Sequence, residues 1–258
     1  MIPTFDAARR LADVRACLGL LTRIPMPGGS EDGAAARAQL AGASWAFPVV
    51  GALIGAMGAV VFVLASAVGL PPWVAALLAV ASTVLTTGGL HEDGLADVAD
   101  GFGGAVAPED KLAIMRDSRI GTYGTLALIL SVALRAAALA AIAEPLAAAA
   151  ALVAAHAGAR AGLPAVMRGV PLARADGLAA DAGMPEAATV GTAIGLAGLI
   201  AFVMLGVGTA VLALAAAAAA TAAMAAWARR QIGGYSGDVL GAVQQLAEIA
   251  ILLAVATA

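Results

Sequence analysis

The sequence predicts an all-α protein, a polytopic transmembrane helix bundle of about seven spans with an N-terminal amphipathic helix. Three observations predict it. Of 258 residues, 62% are hydrophobic and 12% charged, against about 45–50% and about 25% in soluble domains; a soluble fold of this size cannot hide so much apolar side chain. Apolar stretches long enough to cross a bilayer, about 20 residues of helix, recur seven times. The basic residues fall almost wholly in alternate connections. Composition also excludes other classes. A net charge of −3 excludes a nucleic-acid binder that relies on bulk positive charge. The single cysteine, Cys17, makes no intrachain disulfide and marks no metal motif.

In chain order, residues 5–22 read as the amphipathic helix, with Phe5, Leu11, Val14, Leu18 and Leu21 on one face. Two positions suit it: the cytoplasmic membrane interface or the protein's own cytoplasmic loops. Asp6, Arg9, Arg10, Asp13 and Arg15 stand where a cleaved signal peptide needs its apolar core. Spans are expected at 45–69, 72–90, 122–142, 145–166, 189–206, 209–227 and 239–257, the fourth and sixth dominated by Ala. Pro71-Pro72 and Glu144-Pro145 mark tight turns. With the N-terminus inside, segments 1–44, 91–121, 167–188 and 228–238 share the cytoplasmic side and hold twelve of the fourteen Lys and Arg. The opposite connections hold none, and Arg135 and Arg160 lie within spans. That asymmetry is the positive-inside rule. Residues 1–258 therefore form a single integral membrane domain, with a cytoplasmic catalytic loop at about 91–121.

That loop carries the densest polar signal. Asp93, Asp97 and Asp100 are spaced i, i+4, i+7, a narrow stripe on a helix. Three stacked carboxylates repel one another unless a cation sits on them, and hard oxygen ligands suit Mg²⁺ or Mn²⁺ completed by water and substrate phosphate. Gly94, Gly101, Gly103 and Gly104 surround the stripe and are expected to let backbone N–H groups approach a phosphate. A helix opens at Pro108 and is followed by Asp117-Ser118-Arg119 and Gly121-Thr122-Tyr123-Gly124; Arg119 either clamps a phosphate or anchors the helix end at lipid headgroups. A second polar cluster, Gly233 to Gly241, contains Gly237 and Asp238. Glu248, Arg135, Arg160 and His156 are deep polar residues; Glu248 is either functional or the partner of one of the arginines. Carboxylates, arginines and glycine-rich segments on one membrane face suit phosphoryl transfer.

The run Gly88-Gly89-Leu90-His91-Glu92-Asp93-Gly94-Leu95-Ala96-Asp97-Val98-Ala99-Asp100-Gly101 resembles the signature of the cobalamin synthase family, the adenosylcobinamide-GDP ribazoletransferases. So do Leu21-Thr22-Arg23-Ile24-Pro25, the segment from Asp117 to Gly124, and Gly237-Asp238 with Glu248. The resemblance covers essentially the whole chain. It implies the last assembly step of cobalamin synthesis: α-ribazole, or its 5′-phosphate, attacks the activated phosphate of adenosylcobinamide-GDP and GMP leaves. It also implies Mg²⁺ dependence and a place in the bacterial cytoplasmic membrane, with lipid and small-molecule substrates as partners and no nucleic acid. On that reading Asp93, Asp97 and Asp100 hold the metal. Asp97 or Asp238 is the catalytic carboxylate. His91, Asp117, Ser118, Arg119, Arg160 and Gly237 bind substrate. No oligomeric state follows from it.

Two other classes compete. Asp-Gly-Leu-Ala-Asp loosely echoes the pattern of CDP-alcohol phosphotransferases, which make lipid headgroups, but Asp97 stands where that pattern has Arg. A small transporter would need ionisable groups lining a mid-membrane path, and Glu248, Arg135 and Arg160 are few.

Overall fold

A computed structural model describes residues 6–26, 39–142 and 144–258; Phe5 and Arg37 lie outside them. The helices in chain order are α1 (Ala7–Leu21), α2 (Leu40–Ala43), α3 (Phe47–Ala67), α4 (Pro72–Thr87), α5 (Leu90–Gly104), α6 (Pro108–Ile114) and α7 (Thr122–Ala141). They continue as α8 (Pro145–Ala161), α9 (Leu163–Gly169), α10 (Leu178–Ala182), α11 (Ala187–Leu205), α12 (Val207–Ile232) and α13 (Gly237–Ala256). A 3₁₀ turn at Ser44–Ala46 joins α2 to α3. The described residues contain no strand, and one isolated parallel bridge pairs Leu172 with Tyr235.

Among the described residues, six helical segments are each long and apolar enough to span a membrane: Leu40–Ala67, Thr122–Ala141, Pro145–Gly169, Ala187–Leu205, Val207–Ile232 and Gly237–Ala256. The chain is an all-α, multi-pass membrane protein. The seventh expected span, 72–90, differs from its prediction. α4 stops at Thr87, and the chain then turns by 92° into α5. Gly88 and Gly89 make the corner with φ of 66° and 71°, left-handed values that side chains with a Cβ resist. At 1.5 Å per residue α4 alone rises about 24 Å, and Pro72–Thr87 with Leu90–Gly104 is together long and apolar enough to be the seventh span, bent or re-entrant at this corner. The expected loop at 91–121 is mostly helical, being α5 and α6.

The bundle core is built from small residues at close crossings. A Cβ on Gly55 of α3 would stand 2.5 Å from the Leu152 carbonyl oxygen of α8, and Gly51 one turn earlier meets the His156 carbonyl. Glycines four apart let two backbones touch, which is how helices pack where lipid removes the hydrophobic drive. α1 packs one face on the protein itself. Cys17 and Leu21 are buried, the Cys17 thiol donates to the Ala43 carbonyl at 3.3 Å, and Trp45 Nε1 donates to Asp13 at 2.8 Å. Leu11 stays 60% exposed. Burial, followed by the charge of Asp13, pushes the Cys17 thiol up to about 12.

The alternation predicted from charge is visible as geometry. One cavity is lined by residues of α1, α2, α5, α9, α10 and the start of α13. These come from, or border, the four segments expected to share a side. Ile142, Glu144, Leu205, Thr209 and Ala258 instead meet around a separate depression, formed by connections expected on the other side.

Candidate active site

α5 lies across the N-terminal ends of α7 and α13. At one end Gly94 packs on the backbone of Asp238, so closely that a Cβ would stand 2.7 Å from the Asp238 carbonyl oxygen. At the other end the Asp100 carboxylate accepts from Gly121 N–H at 2.7 Å and Gly124 N–H at 2.8 Å. Asp100 thus caps α7, satisfying N–H groups that a helix start leaves free. The glycines of this helix do not open a path for phosphate as expected. Gly94 is filled by Asp238, Gly101 by Met115 and Gly103 by Tyr123. They pack against neighbouring elements, Gly94 on α13, Gly101 on the end of α6 and Gly103 on α7, and of these Gly94 also borders the cavity.

This crossing gathers carboxylates. Asp97 is half-buried, and its carboxyl is raised from 3.8 to about 7, by burial first and then by the charges of Asp93, Asp238 and Asp100. Arg174 is the cation opposing that rise. It comes from the connection between α9 and α10, which is pinned to the site by backbone pairing. Ala173 N–H donates to the Tyr235 carbonyl at 2.8 Å, and Tyr235 N–H to the Pro171 carbonyl at 2.9 Å. Arg174 Nη2 lies 3.5 Å from Asp238 Oδ2, and Arg174 Nε 3.9 Å from Asp176 Oδ1. Its Nη1 is buried without a hydrogen-bond partner. Arg116 holds Asp176 from the outside with two 2.8 Å bonds. Ser236 caps α13, accepting from Val239 N–H at 3.3 Å.

A cavity of about 210 Å³ opens against this cluster. Asp93, Arg174, Asp176, Ser236 and Asp238 line its polar wall, and Leu21, Leu40, Phe47, Leu163, Met167 and Ala182 line its apolar one. His91 also lines it, 3% exposed, with Nε2 unpartnered. Burial, then the guanidinium of Arg160, holds this imidazole well below its usual range, so it is neutral at pH 7.

Beneath α5 lies a buried ionic network. Arg135 Nη1 donates to Glu92 at 3.0 Å and to Glu248 at 3.3 Å. Gln244 Nε2 donates to Glu248 at 2.6 Å, Gln245 Nε2 donates to Glu92 at 3.1 Å, and His156 Nδ1 lies 3.3 Å from Glu248. Glu248 is therefore the partner of Arg135, the second of its two expected roles. The network ties α5 to α7, α8 and α13, fixing the helix that carries the carboxylates.

The residues expected in the site divide into two groups. Asp93, Asp238, His91 and Gly237 line the cavity, whereas Asp97, one turn along the helix, is not on its lining and Asp100 is spent on the start of α7. Asp117, Ser118 and Arg119 do not line it. Arg119 is 88% exposed and bonded to Asp117 at 2.6 Å, and that guanidinium holds the Asp117 carboxyl below its usual range. Arg160 is buried away from the cavity, donating to the His156 carbonyl at 3.1 Å. Sequence reasoning missed Arg174 and Asp176, and Ser236 was noted only as part of the polar cluster at 233–241. The signal was present in the charged, glycine-closed segment Pro171-Leu172-Ala173-Arg174-Ala175-Asp176-Gly177, but its pairing with Tyr235 is a long-range fact.

The model of the cobalamin-5-phosphate synthase family matches residues 13–256. The chain belongs to this family. It is 51% identical to an adenosylcobinamide-GDP ribazoletransferase of Bradyrhizobium diazoefficiens, covering 99% of this chain and 98% of that protein. It is 48% identical to one of Mesorhizobium japonicum over 99% and 96%, and 47% identical to one of Azorhizobium caulinodans over 96% of each. No solved structure matches the chain. Membership in the cobalamin-5-phosphate synthases agrees with the family the sequence resembles, and it makes this cavity the candidate centre of a transferase of cobalamin synthesis.

Proposed function

We propose that the chain transfers the adenosylcobinamide phosphate group from adenosylcobinamide-GDP to α-ribazole or its 5′-phosphate, releasing GMP, at the cavity beneath α5. The observation that carries this reading is the convergence of Asp93 and Asp238 with Arg174 on the lining of that cavity, with Asp97 one helical turn from Asp93 and under the charge of both carboxylates, in a chain matched almost end to end by relatives named for this transfer.

Among the described residues, no three His, Cys, Asp or Glu side chains are placed to hold an ion by themselves. The donor set nevertheless fits Mg²⁺. It is all hard oxygen, and the Asp97 carboxyl is raised by burial first and then by the neighbouring charges of Asp93, Asp238 and Asp100. Mg²⁺ takes one or two carboxylates and completes its shell with water and substrate phosphate. Asp93 and Asp97 would hold it, and Asp100 supports them by fixing the end of α5 on α7. When bound, the ion supplies charge neutralisation at the diphosphate.

The chain's own groups do the rest. Arg174 and the free N–H groups at the start of α13 face the polar wall, where a helix N-terminus and a guanidinium favour an anion. They would take up charge on the departing phosphate. Asp238 or Asp97 is placed to accept the proton of an attacking hydroxyl. His91, neutral and unpartnered, offers one hydrogen bond to the substrate. Arg119 and Asp117 stay at the rim, where Arg119 meets headgroups or incoming phosphate. Arg160 acts through His156 and His91. The site would face the cytoplasm, where the basic connections lie.

Purified protein in detergent, given adenosylcobinamide-GDP, α-ribazole and Mg²⁺, should release GMP, with loss in EDTA. No GMP under conditions in which the Bradyrhizobium relative produces it would refute the reading.

A further inference from the structure

The cavity has two chemically distinct walls, and the second is unused by the phosphate chemistry. Leu21, Leu40, Phe47, Leu163, Met167 and Ala182 are each at most 5% exposed, and all belong to one packed apolar cluster. They come from α1, α2, α3, α9 and α10, so the N-terminal helix is part of the wall. None of these six side chains carries a hydrogen-bonding group. Beyond the polar cluster itself, His91 Nε2 is the one buried, unpartnered side-chain atom on the lining.

Three bulky groups take part in the proposed transfer, and the cavity discriminates among them. A corrin macrocycle exceeds the roughly 300–1,000 Å³ pockets that enclose drug-sized ligands, and this space is about 210 Å³. Guanine is small enough, but its amide and exocyclic amine would lie desolvated and unpaired on the apolar wall, which disfavours it. The dimethylbenzimidazole of α-ribazole is bicyclic and apolar, with a single free ring nitrogen for which His91 Nε2 is a partner.

We infer that this wall is the nucleoside subsite: it takes the benzimidazole base of α-ribazole, leaving the free ribose hydroxyls toward Asp93 and Asp238 and both the corrin and the guanine outside. The inference rests on the transferase reading above and adds the placement and base preference of the acceptor. The polar neighbours agree. Met167 and Phe47 line the same cavity as Asp93 and Asp238, so a base seated against them keeps its ribose within the space that the carboxylates border.

The test compares Met167→Gln, which keeps size but adds an amide, and Ala182→Leu, which fills the space without polarity. Each is checked for monodisperse elution in detergent. For either variant the KM for α-ribazole should rise roughly tenfold or more, with the KM for adenosylcobinamide-GDP within twofold of wild type. Met167→Gln should also narrow the preference for α-ribazole over the adenine riboside. Equilibrium dialysis of radiolabelled α-ribazole alone should show the same weakening. A rise confined to the KM for adenosylcobinamide-GDP would overturn the inference, as would no change in either KM. Wild-type protein that binds α-ribazole in dialysis, with binding lost in both variants, but releases no GMP would leave the subsite standing and refute the transferase reading. Unchanged dialysis in a monodisperse variant would refute the subsite alone.

Discussion

Replacing Asp97 by Asn tests the carboxylate cluster through stability and activity together. The Asp97 carboxyl is raised from 3.8 to about 7, so between those values the folded chain binds a proton that the unfolded chain does not. Stability from this group is therefore full below about pH 4 and falls as the pH rises through about 7. At ~1.36 kcal/mol per pH unit the full rise is worth about 4 kcal/mol. Asp97 is half-exposed, and solvent screening reduces this to roughly 1–2 kcal/mol. Asp97→Asn abolishes the titration. In EDTA at pH 8 the variant should be more stable than wild type by that amount, and the two should converge by pH 4. Mg²⁺ should then stabilise wild type, by about 2.7 kcal/mol at a hundredfold excess over Kd, and the variant far less. GMP release should fall by orders of magnitude. Thermal unfolding in detergent across pH, with and without Mg²⁺, reads the first effects. Asp110→Asn, in the first turn of α6, is the control that keeps Mg²⁺ dependence. Equal stability of wild type and Asp97→Asn in EDTA at pH 8, or matching Mg²⁺ titrations of GMP release for the two Asn variants, would refute the cluster.

Glu248→Gln should destabilise the protein by about 3–5 kcal/mol, because Arg135 loses one of two buried carboxylate partners; a wild-type melting temperature with lost turnover would show a catalytic role instead. Gly94→Ala places a methyl 2.7 Å from the Asp238 carbonyl and should lift α5 from α13, cutting kcat/KM at least tenfold in the GMP assay. Cys17, raised to about 12 and fully buried, should resist maleimide at pH 8 until detergent denaturation exposes it, since the thiolate is the reactive form. Reporter fusions within 170–177 and 105–107 should both read as cytoplasmic.

Helix class, spans and the grouping of connections at the two ends of the bundle were legible in the sequence because each depends on composition over a window. Apolar length decides what crosses a bilayer, and basic residues decide which end stays inside. The acidic stripe was legible for the same local reason: i, i+4, i+7 spacing places three carboxylates on one helix face whatever lies around it. What that face meets is a long-range matter. Tertiary structure put Asp100 on the start of α7, brought Asp238 beside Asp97, and turned Glu92 down to Arg135. The 92° corner after α4 was marked by Gly88-Gly89, yet two glycines permit a left-handed turn without requiring one; packing across α7 and α13 required it. Arg174 shows the division most plainly. In sequence it is one basic residue among several in a connection, 64 positions from Asp238. Two backbone hydrogen bonds to Tyr235 carry it to the carboxylates, and no periodicity or motif encodes a pairing between segments that the chain brings together only by folding.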